Sequence, residues 1–340
     1  MVSVNDSHVT HLKSGENGLV SEDVLDIFVV IFFVAAAGSI SFLGAIFNVI
    51  NAIVFFKQGF QDTVNITLFF LAISDMATLM NIMWIGVCFN PLFVQADFPV
   101  HYQDLSYITS GWLGWCFARI SSWITAFVTF ERCLCIALPL KVKTIITPRN
   151  TVIVVLGIYI TMLANVVPVY YSISLGPKYF PQLNQTKMGL VYIANGVSIE
   201  NVSLSINAIS QMVSFFATIA CTIILVHNLL LKSKWRQSKS SAVQQKSFSK
   251  RDTKVVKMIV FIACVFIACY LPSAANFIAS VIFDEYGLNG RYRNMFVLTW
   301  SIFLTLVALN CSVNIFVYYS MSSKFGEILN SMLNINRTET

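Results

Sequence analysis

Seven stretches of this chain are apolar for longer than the about 20 residues that a helix needs to cross a bilayer core of about 30 Å. They run over 27–56, 64–90, 105–138, 151–173, 204–231, 255–283 and 295–319. Polar or turn-forming residues bound them, such as Lys57-Gln58-Gly59, Asn90-Pro91, Thr147-Pro148-Arg149 and Glu285-Tyr286-Gly287. No water reaches bilayer depth, so backbone groups must bond within the segment, and only helices or closed barrels span. Barrel strands are shorter and alternate apolar with polar residues. These runs are long and uniformly apolar, so the expected fold is an all-α membrane protein, a bundle of seven transmembrane helices. The composition agrees: 56% of residues are hydrophobic and 11% charged, with a mean hydropathy of +0.72. Soluble domains carry about 25% charged residues.

The net charge of +6 would suit a nucleic-acid partner, but its distribution is that of a membrane protein. Lys57, Lys141, Lys143, Arg149, the basic run from Lys232 to Lys254, Lys324 and Arg337 fall on one side of the expected topology. Only Lys13, Lys178, Lys187, Arg291 and Arg293 fall on the other. Basic loops stay inside, so the expectation is a multi-pass plasma-membrane protein with its N-terminus extracellular. The expected parts are an extracellular segment 1–26, a membrane domain 27–319, and a short amphipathic eighth helix with a cytoplasmic tail over 320–340. The polar, acidic first 24 residues lack the order of a cleaved signal peptide, which leaves the first span as its own insertion signal. Sequons at Asn5, Asn184 and Asn201 lie on the outer side as glycosylation candidates. The Ser-rich loop 232–254 reads as a solvated linker and as a phosphorylatable segment whose added charge would alter partner docking.

Polar groups at bilayer depth cost several kcal/mol and normally face the bundle interior, where they serve function. Asp75 lies in the second span, Asn48 in the first, Ser121 in the third, and Asn310 and Asn314 in the seventh. An ionised Asp75 needs such neighbours, water or a cation. Glu131-Arg132 ends the third span, and Asp252 precedes the sixth on the same side. An arginine there can pair with a carboxylate on another helix, and breaking the pair would release one helix end from the other.

Glu131-Arg132-Cys133, followed by Leu138-Pro139-Leu140, resembles the E/DRY signature and loop of rhodopsin-like G-protein-coupled receptors. Leu71-Ala72-Ile73-Ser74-Asp75 resembles LAxxD, Cys269-Tyr270-Leu271-Pro272 resembles CWxP, and Asn314-Ile315-Phe316-Val317-Tyr318 resembles NPxxY, with Phe325 where an eighth helix begins. The ordered set covers all seven spans. The resemblance implies that Arg132, restrained by Glu131 and Asp252, meets a heterotrimeric G protein, and that Tyr318 swings inward on activation. It also implies a sodium pocket at Asp75, Ser121, Asn310 and Asn314, and a toggle at Tyr270 beneath the ligand, with Pro272 kinking the sixth helix. With Asn48, these residues form the expected polar core.

The departures carry information. Ile315 stands for the family's proline and Tyr270 for its tryptophan, and the second outer loop, about 174–203, has no cysteine. Tyr107 stands where the third helix supplies the partner of that disulfide, so the outer face is expected to be held by packing or to be mobile. The eight cysteines otherwise read as small buried hydrophobes. Gly114 stands where amine receptors carry an aspartate, and Ala308 where opsins carry the retinal lysine, so the resemblance points to neither ligand. Arg119 is the basic residue of the outer half of the bundle, suited to a carboxylate from a small acid or a peptide terminus, or else to a structural bond to a group such as Asn165. Trp112, Trp115 and Trp300 read as pocket walls or as interfacial anchors; Trp115, Arg119, Tyr270 and Trp300 make up the candidate ligand pocket.

The Glu-Arg-Cys triplet, the loop Pro139-Leu140-Lys141-Val142-Lys143 and the missing disulfide resemble invertebrate, molluscan-type orphan and chemosensory receptors. The expected function is therefore a chemosensory receptor that binds an extracellular small molecule or peptide and activates a G protein, among membrane lipids and without nucleic acid. A neuropeptide receptor is the alternative, since Glu16, Glu22, Asp23 and Asp26 could attract basic peptides. A transporter is disfavoured because no half repeats the other, and a channel because no filter or charge ring is visible. An enzyme is disfavoured because His8, His11, His101 and His227 do not cluster and no nucleophile motif occurs. No cofactor is expected beyond an allosteric sodium ion.

Overall fold

The computed structural model describes residues 19–96, 98–137, 142–180, 184–238, 250–283, 285–287 and 290–333, with side chains except at 143, 232–238 and 250–252. Seven long helices form the bundle: α1 Glu22–Gln58, α2 Thr63–Cys88, α3 Tyr102–Ala137, α4 Pro148–Ser172, α5 Gly196–Ser238, α6 Lys250–Ile282 and α7 Arg293–Met321. All seven are long and apolar enough to cross a membrane. A short eighth helix, α8, runs over Ser323–Met332.

Local chemistry sets the helix ends. The Asp62 carboxylate accepts from Val64 N at 3.1 Å to cap α2. Thr147 caps α4 ahead of Pro148, whose missing N–H costs nothing in a first turn. Gly59, at φ 81°, closes α1 in a conformation that side chains resist. Ser322 Oγ accepts from Phe325 N at 3.3 Å to open α8, and buries Phe325 against Phe55 and Tyr318.

The expected spans sit within one or two residues of the observed helices at some ends and fall short at others. α5 starts at Gly196, eight residues before the apolar run, because its first turns carry Glu200 and Ser203 on a buried face. The loop before it is correspondingly shorter and is a hairpin, not an irregular segment. Strands β1 Ile173–Phe180 and β2 Gln185–Tyr192 pair antiparallel, and Asn184 lies in the turn at φ 49°, a conformation asparagine tolerates.

The centre of the bundle is α3, whose Ile120, Ile124 and Val128 are fully buried. Large apolar residues such as Phe42, Ile160 and Val281 stand outward. That inversion suits a chain solvated by lipid. α1 and α7 meet closely at Gly44, where Asn48 Nδ2 donates to Cys311 O at 2.8 Å.

The hairpin end is held by packing, as in the stack of His101 on Phe180 at 4.2 Å, and by hydrogen bonds that the sequence did not show. His101 N donates to Met188 O at 2.9 Å and Met188 N to Pro99 O at 2.8 Å. Leu190 N donates to Asp104 Oδ2 at 3.1 Å. Tyr107 and Tyr192 both donate to the Glu200 carboxylate, joining α3, β2 and α5. All eight cysteines are free thiols.

Candidate functional site

A cavity of about 440 Å³ opens among α3, α5, α6 and α7 toward the hairpin end. Its walls are mainly aromatic and aliphatic, the usual make-up of a small-molecule site. Trp115 meets Trp300 at 4.9 Å between ring centroids and stacks on Phe303 at 5.6 Å. Tyr270 meets Phe303 edge-on at 5.7 Å and stacks on Phe266 at 4.4 Å, so a line of rings leads from the cavity into the core. All four expected pocket residues, Trp115, Arg119, Tyr270 and Trp300, line this cavity together, as does Trp112.

Arg119 is 8% exposed and makes no hydrogen bond or ion pair among the described residues, and its Nε and Nη2 are buried without a partner. The alternative partner Asn165 bonds instead to Thr161 O of its own helix. Gly114 is not a cavity residue; its Cα faces Asn81 of α2, where an added Cβ would come within 3.0 Å of Asn81 Cβ. The α5 wall was not legible in the sequence: Asn207 and Met212 line the cavity, and Gln211 Nε2 donates to Ser122 Oγ at 3.1 Å.

Deeper in the bundle, Asn314 Nδ2 donates to Asp75 Oδ2 at 2.9 Å, joining α7 to α2. Ser121 Oγ donates to Ser74 Oγ of α2 at 2.9 Å and lies beside the Asp75 carboxyl group. Asn48 serves the α1–α7 contact, and Asn310 is buried beside the group without bonding Asp75. Of the expected polar core, Asn314 donates to the acid and the Ser121 hydroxyl lies beside it. Asp75 Oδ1 stays buried without a partner.

At the opposite end of α3, Glu131 is fully buried and pairs with Arg132. Thr63, at the first turn of α2, also donates to Glu131, a contact that only the fold reveals. Asp252 was expected to restrain Arg132, but its side chain lies outside those described. Tyr318 is buried between Phe55 of α1 and Phe325 of α8, with ring centroids at 5.0 and 5.5 Å. α7 is continuous through Ile315.

Of the glycosylation candidates, Asn5 lies outside the described residues. Asn184 sits in the hairpin turn, where its Oδ1 accepts from Tyr179 at 2.8 Å. Asn201 lies in the first turns of α5 and not in a loop. The acidic cluster is partly engaged, since Glu22 accepts from Asn294 of α7 at 3.1 Å.

Residues 35–336 match the family described as serpentine type 7TM GPCR chemoreceptor Srw, a match that runs from within α1 past the end of α8. The chain is 22% identical to the galanin-like G-protein coupled receptor npr-9 of Caenorhabditis elegans over 305 residues, covering 84% of this chain and 69% of that one. It is 23% identical to the allatostatin-A receptor of Bombyx mori, covering 91% and 80%. It is also 23% identical to the human lysophosphatidic acid receptor 4, covering 83% and 72%. These relatives are receptors and not enzymes, as are the members of the matching family. With a family match over most of its length and seven helices long and apolar enough to span a membrane, the chain belongs to the serpentine type 7TM chemoreceptor Srw family of rhodopsin-like G-protein-coupled receptors.

Proposed function

We propose that this receptor works in the plasma membrane with its N-terminus outside, and that it is chemosensory, taking a small-molecule stimulus in the cavity among α3, α5, α6 and α7. The observation that carries the reading is that cavity: about 440 Å³, walled by rings, with the unpaired Arg119 in it. The basic residues near the Arg132 end support the orientation, and the family description supports the chemosensory role. Ligand contact at Trp300 and Trp115 bears on Phe303, Tyr270 and Phe266 through ring packing. A ligand that fits one arrangement of these rings better than another shifts the bundle between two states. At the inner end the shift loosens Arg132 from Glu131 and Thr63, leaving the guanidinium for the G protein.

The residues at the centre fit the sodium ion that the family resemblance implies. Asp75 Oδ1 is a buried carboxylate oxygen without a partner, and the Ser121 hydroxyl and Asn314 amide adjoin its group. When bound, the ion supplies a positive charge that offsets the cost of keeping the carboxylate away from water. Asp75 would hold it, with Asn314 bonding the other carboxylate oxygen.

The test is G-protein nucleotide exchange by the wild type beside Arg132→Ala at matched surface expression. Water-soluble odorants, amino acids and neuropeptides are the stimuli. Exchange that at least one small-molecule stimulus triggers in the wild type, and that falls by about 10-fold or more in the variant, is the expected result. Ligand-dependent current or uptake without exchange sinks the receptor mechanism. A response confined to peptides replaces the chemosensory reading with a neuropeptide one.

A further inference from the structure

We infer that the cavity recognises a carboxylate on a small apolar body, held by Arg119 with Asn207 and Trp112 as companion donors. This rests on the cavity being the stimulus site, and it names the chemistry of the stimulus. Four residues that line the cavity carry buried polar atoms without a hydrogen-bond partner: Arg119 Nε and Nη2, Asn207 Nδ2 and Oδ1, Trp112 Nε1 and the Tyr270 hydroxyl. Each such atom left alone costs about 1–3 kcal/mol, and natural structures rarely leave several in the walls of one cavity. Four of these six atoms are obligate N–H donors, the Tyr270 hydroxyl can also donate, and the Asn207 oxygen is the sole obligate acceptor. The set therefore asks for an acceptor-rich partner.

Charge sharpens the demand. The cavity contains no aspartate or glutamate among its described walls, and Arg119 is its one charged residue. Glu200, the buried acid at the start of α5, is not a wall residue, and each of its oxygens already accepts from a tyrosine. A guanidinium that is 8% exposed and unpaired is a costly feature that a carboxylate would neutralise through two parallel N–H···O bonds. The Nε–Nη2 edge of Arg119 is buried and has no hydrogen-bond partner, so it is the edge a carboxylate would satisfy once the side chain turns to meet it. Around it the walls are Trp115, Trp300, Phe303, Phe277 and Met212, which suit a flat or branched apolar body. A volume of about 440 Å³ admits a metabolite-sized acid.

The test is thermal stabilisation and direct binding with the purified, full-length receptor. Probes are phenylacetate, indole-3-acetate and hexanoate at millimolar concentration, each beside its primary amide and its matching amine. A tripeptide with a free C-terminus and its amidated twin complete the panel. The acids are expected to bind, the amides and amines to bind about 10- to 100-fold more weakly, the worth of a charge-assisted hydrogen bond. Arg119→Met should lose the preference for acids, while its ligand-free melting temperature stays at or above that of the wild type, because an unpaired buried charge has been removed. Arg119→Lys should retain part of the preference, and Asn207→Ala should weaken acid binding without abolishing it.

Binding by the tripeptide acid alone, lost on amidation, keeps the carboxylate and assigns it to a peptide terminus. Three outcomes overturn the inference: no acid binds, amides or amines bind as well as acids, or Arg119→Met melts well below the wild type while still binding acids. Binding is read without a G protein. Acids that bind but never trigger exchange would therefore count against the receptor mechanism alone. A neutral or basic compound that triggers exchange, with no acid bound, would count against the carboxylate alone.

Discussion

A disulfide between residue 107 and the segment before α5 would need a cysteine at each end, and the chain has neither; Tyr107 donates to Glu200 instead, and Tyr192 of β2 donates to the same carboxylate at 2.7 Å. Burial pushes the Tyr192 phenol above its usual pKa, so it keeps the proton it donates. Hydrogen bonds to a charged group are worth about 1.5–3 kcal/mol. Tyr107→Phe and Tyr192→Phe should each lower the melting temperature of the solubilised receptor by a few degrees, and the double variant by less than the sum, because both act on one acceptor. Reducing agent should leave the wild-type melting temperature unchanged. A drop on reduction would show that a disulfide, not this clasp, holds the end together. Sequence motifs exposed Arg132, Glu131, Asp75 and Asn314, because charged and strongly polar groups at bilayer depth are conspicuous. Thr63 and Asn207 were not visible, since a threonine at a helix start reads as a cap neighbour, and since polar residues such as Ser205, Asn207, Ser210 and Gln211 lie round α5 and do not reveal which face meets the cavity.

Among elements, α1 and α7 approach closely at Gly44. A Cβ placed on Gly44 would lie 2.7 Å from Ser312 Cβ and 2.9 Å from Leu79 Cδ1, and would also overlap Ser312 Oγ. Ser312 Oγ is held by Ala308 O at 2.7 Å, so the α7 side cannot easily turn away. Small residues let membrane helices approach in this way. Gly44→Ala should force α1 and α7 apart at a cost of about 1–3 kcal/mol, seen as a lower melting temperature; an unchanged value would mean that α1 rides outward freely. The hairpin makes a second element-level prediction. His101 stacks on Phe180 at 4.2 Å, and burial lowers its pKa from 6.5, with Lys178 and Lys187 adding to the effect and Asp104 opposing it. The unfolded chain then binds the proton more readily, so stability is full above about pH 6.5 and falls as pH drops through the lower folded value. Melting temperature should decline between pH 7 and 5 more steeply in the wild type than in His101→Phe; parallel declines would remove His101 as the cause. The helices were legible as elements because length and hydropathy suffice. The hairpin was not, since Gly176, Pro177 and Gly189 hide its alternation, and the polar start of α5 fell below any apolar run.

For the whole molecule, the cavity and the Arg132 end communicate only if some ligand favours one arrangement of the bundle. Polar ties crossing the middle are the natural points of difference. Asn314 to Asp75 joins α7 to α2, Ser121 to Ser74 joins α3 to α2, and Asn48 to Cys311 O joins α1 to α7. A cation at Asp75 Oδ1 would draw α2, α3 and α7 together and hold the bundle in one state. On the proposed reading, a stimulus in the cavity would favour the other. Linkage then requires that sodium weaken stimulus binding by the same factor as the stimulus weakens sodium binding, a coupling of about 1–3 kcal/mol in typical cases. Asp75→Asn keeps the shape and the Asn314 contact but removes the charge that holds the ion. Raising sodium at constant ionic strength should lower stimulus affinity about 5- to 100-fold in the wild type and leave the variant flat. Equal slopes in the two proteins would take sodium out of the mechanism. A flat response in both, with stimulus-driven exchange intact, would mean that the bundle switches through its ring packing and its Arg132 end without an ion between them.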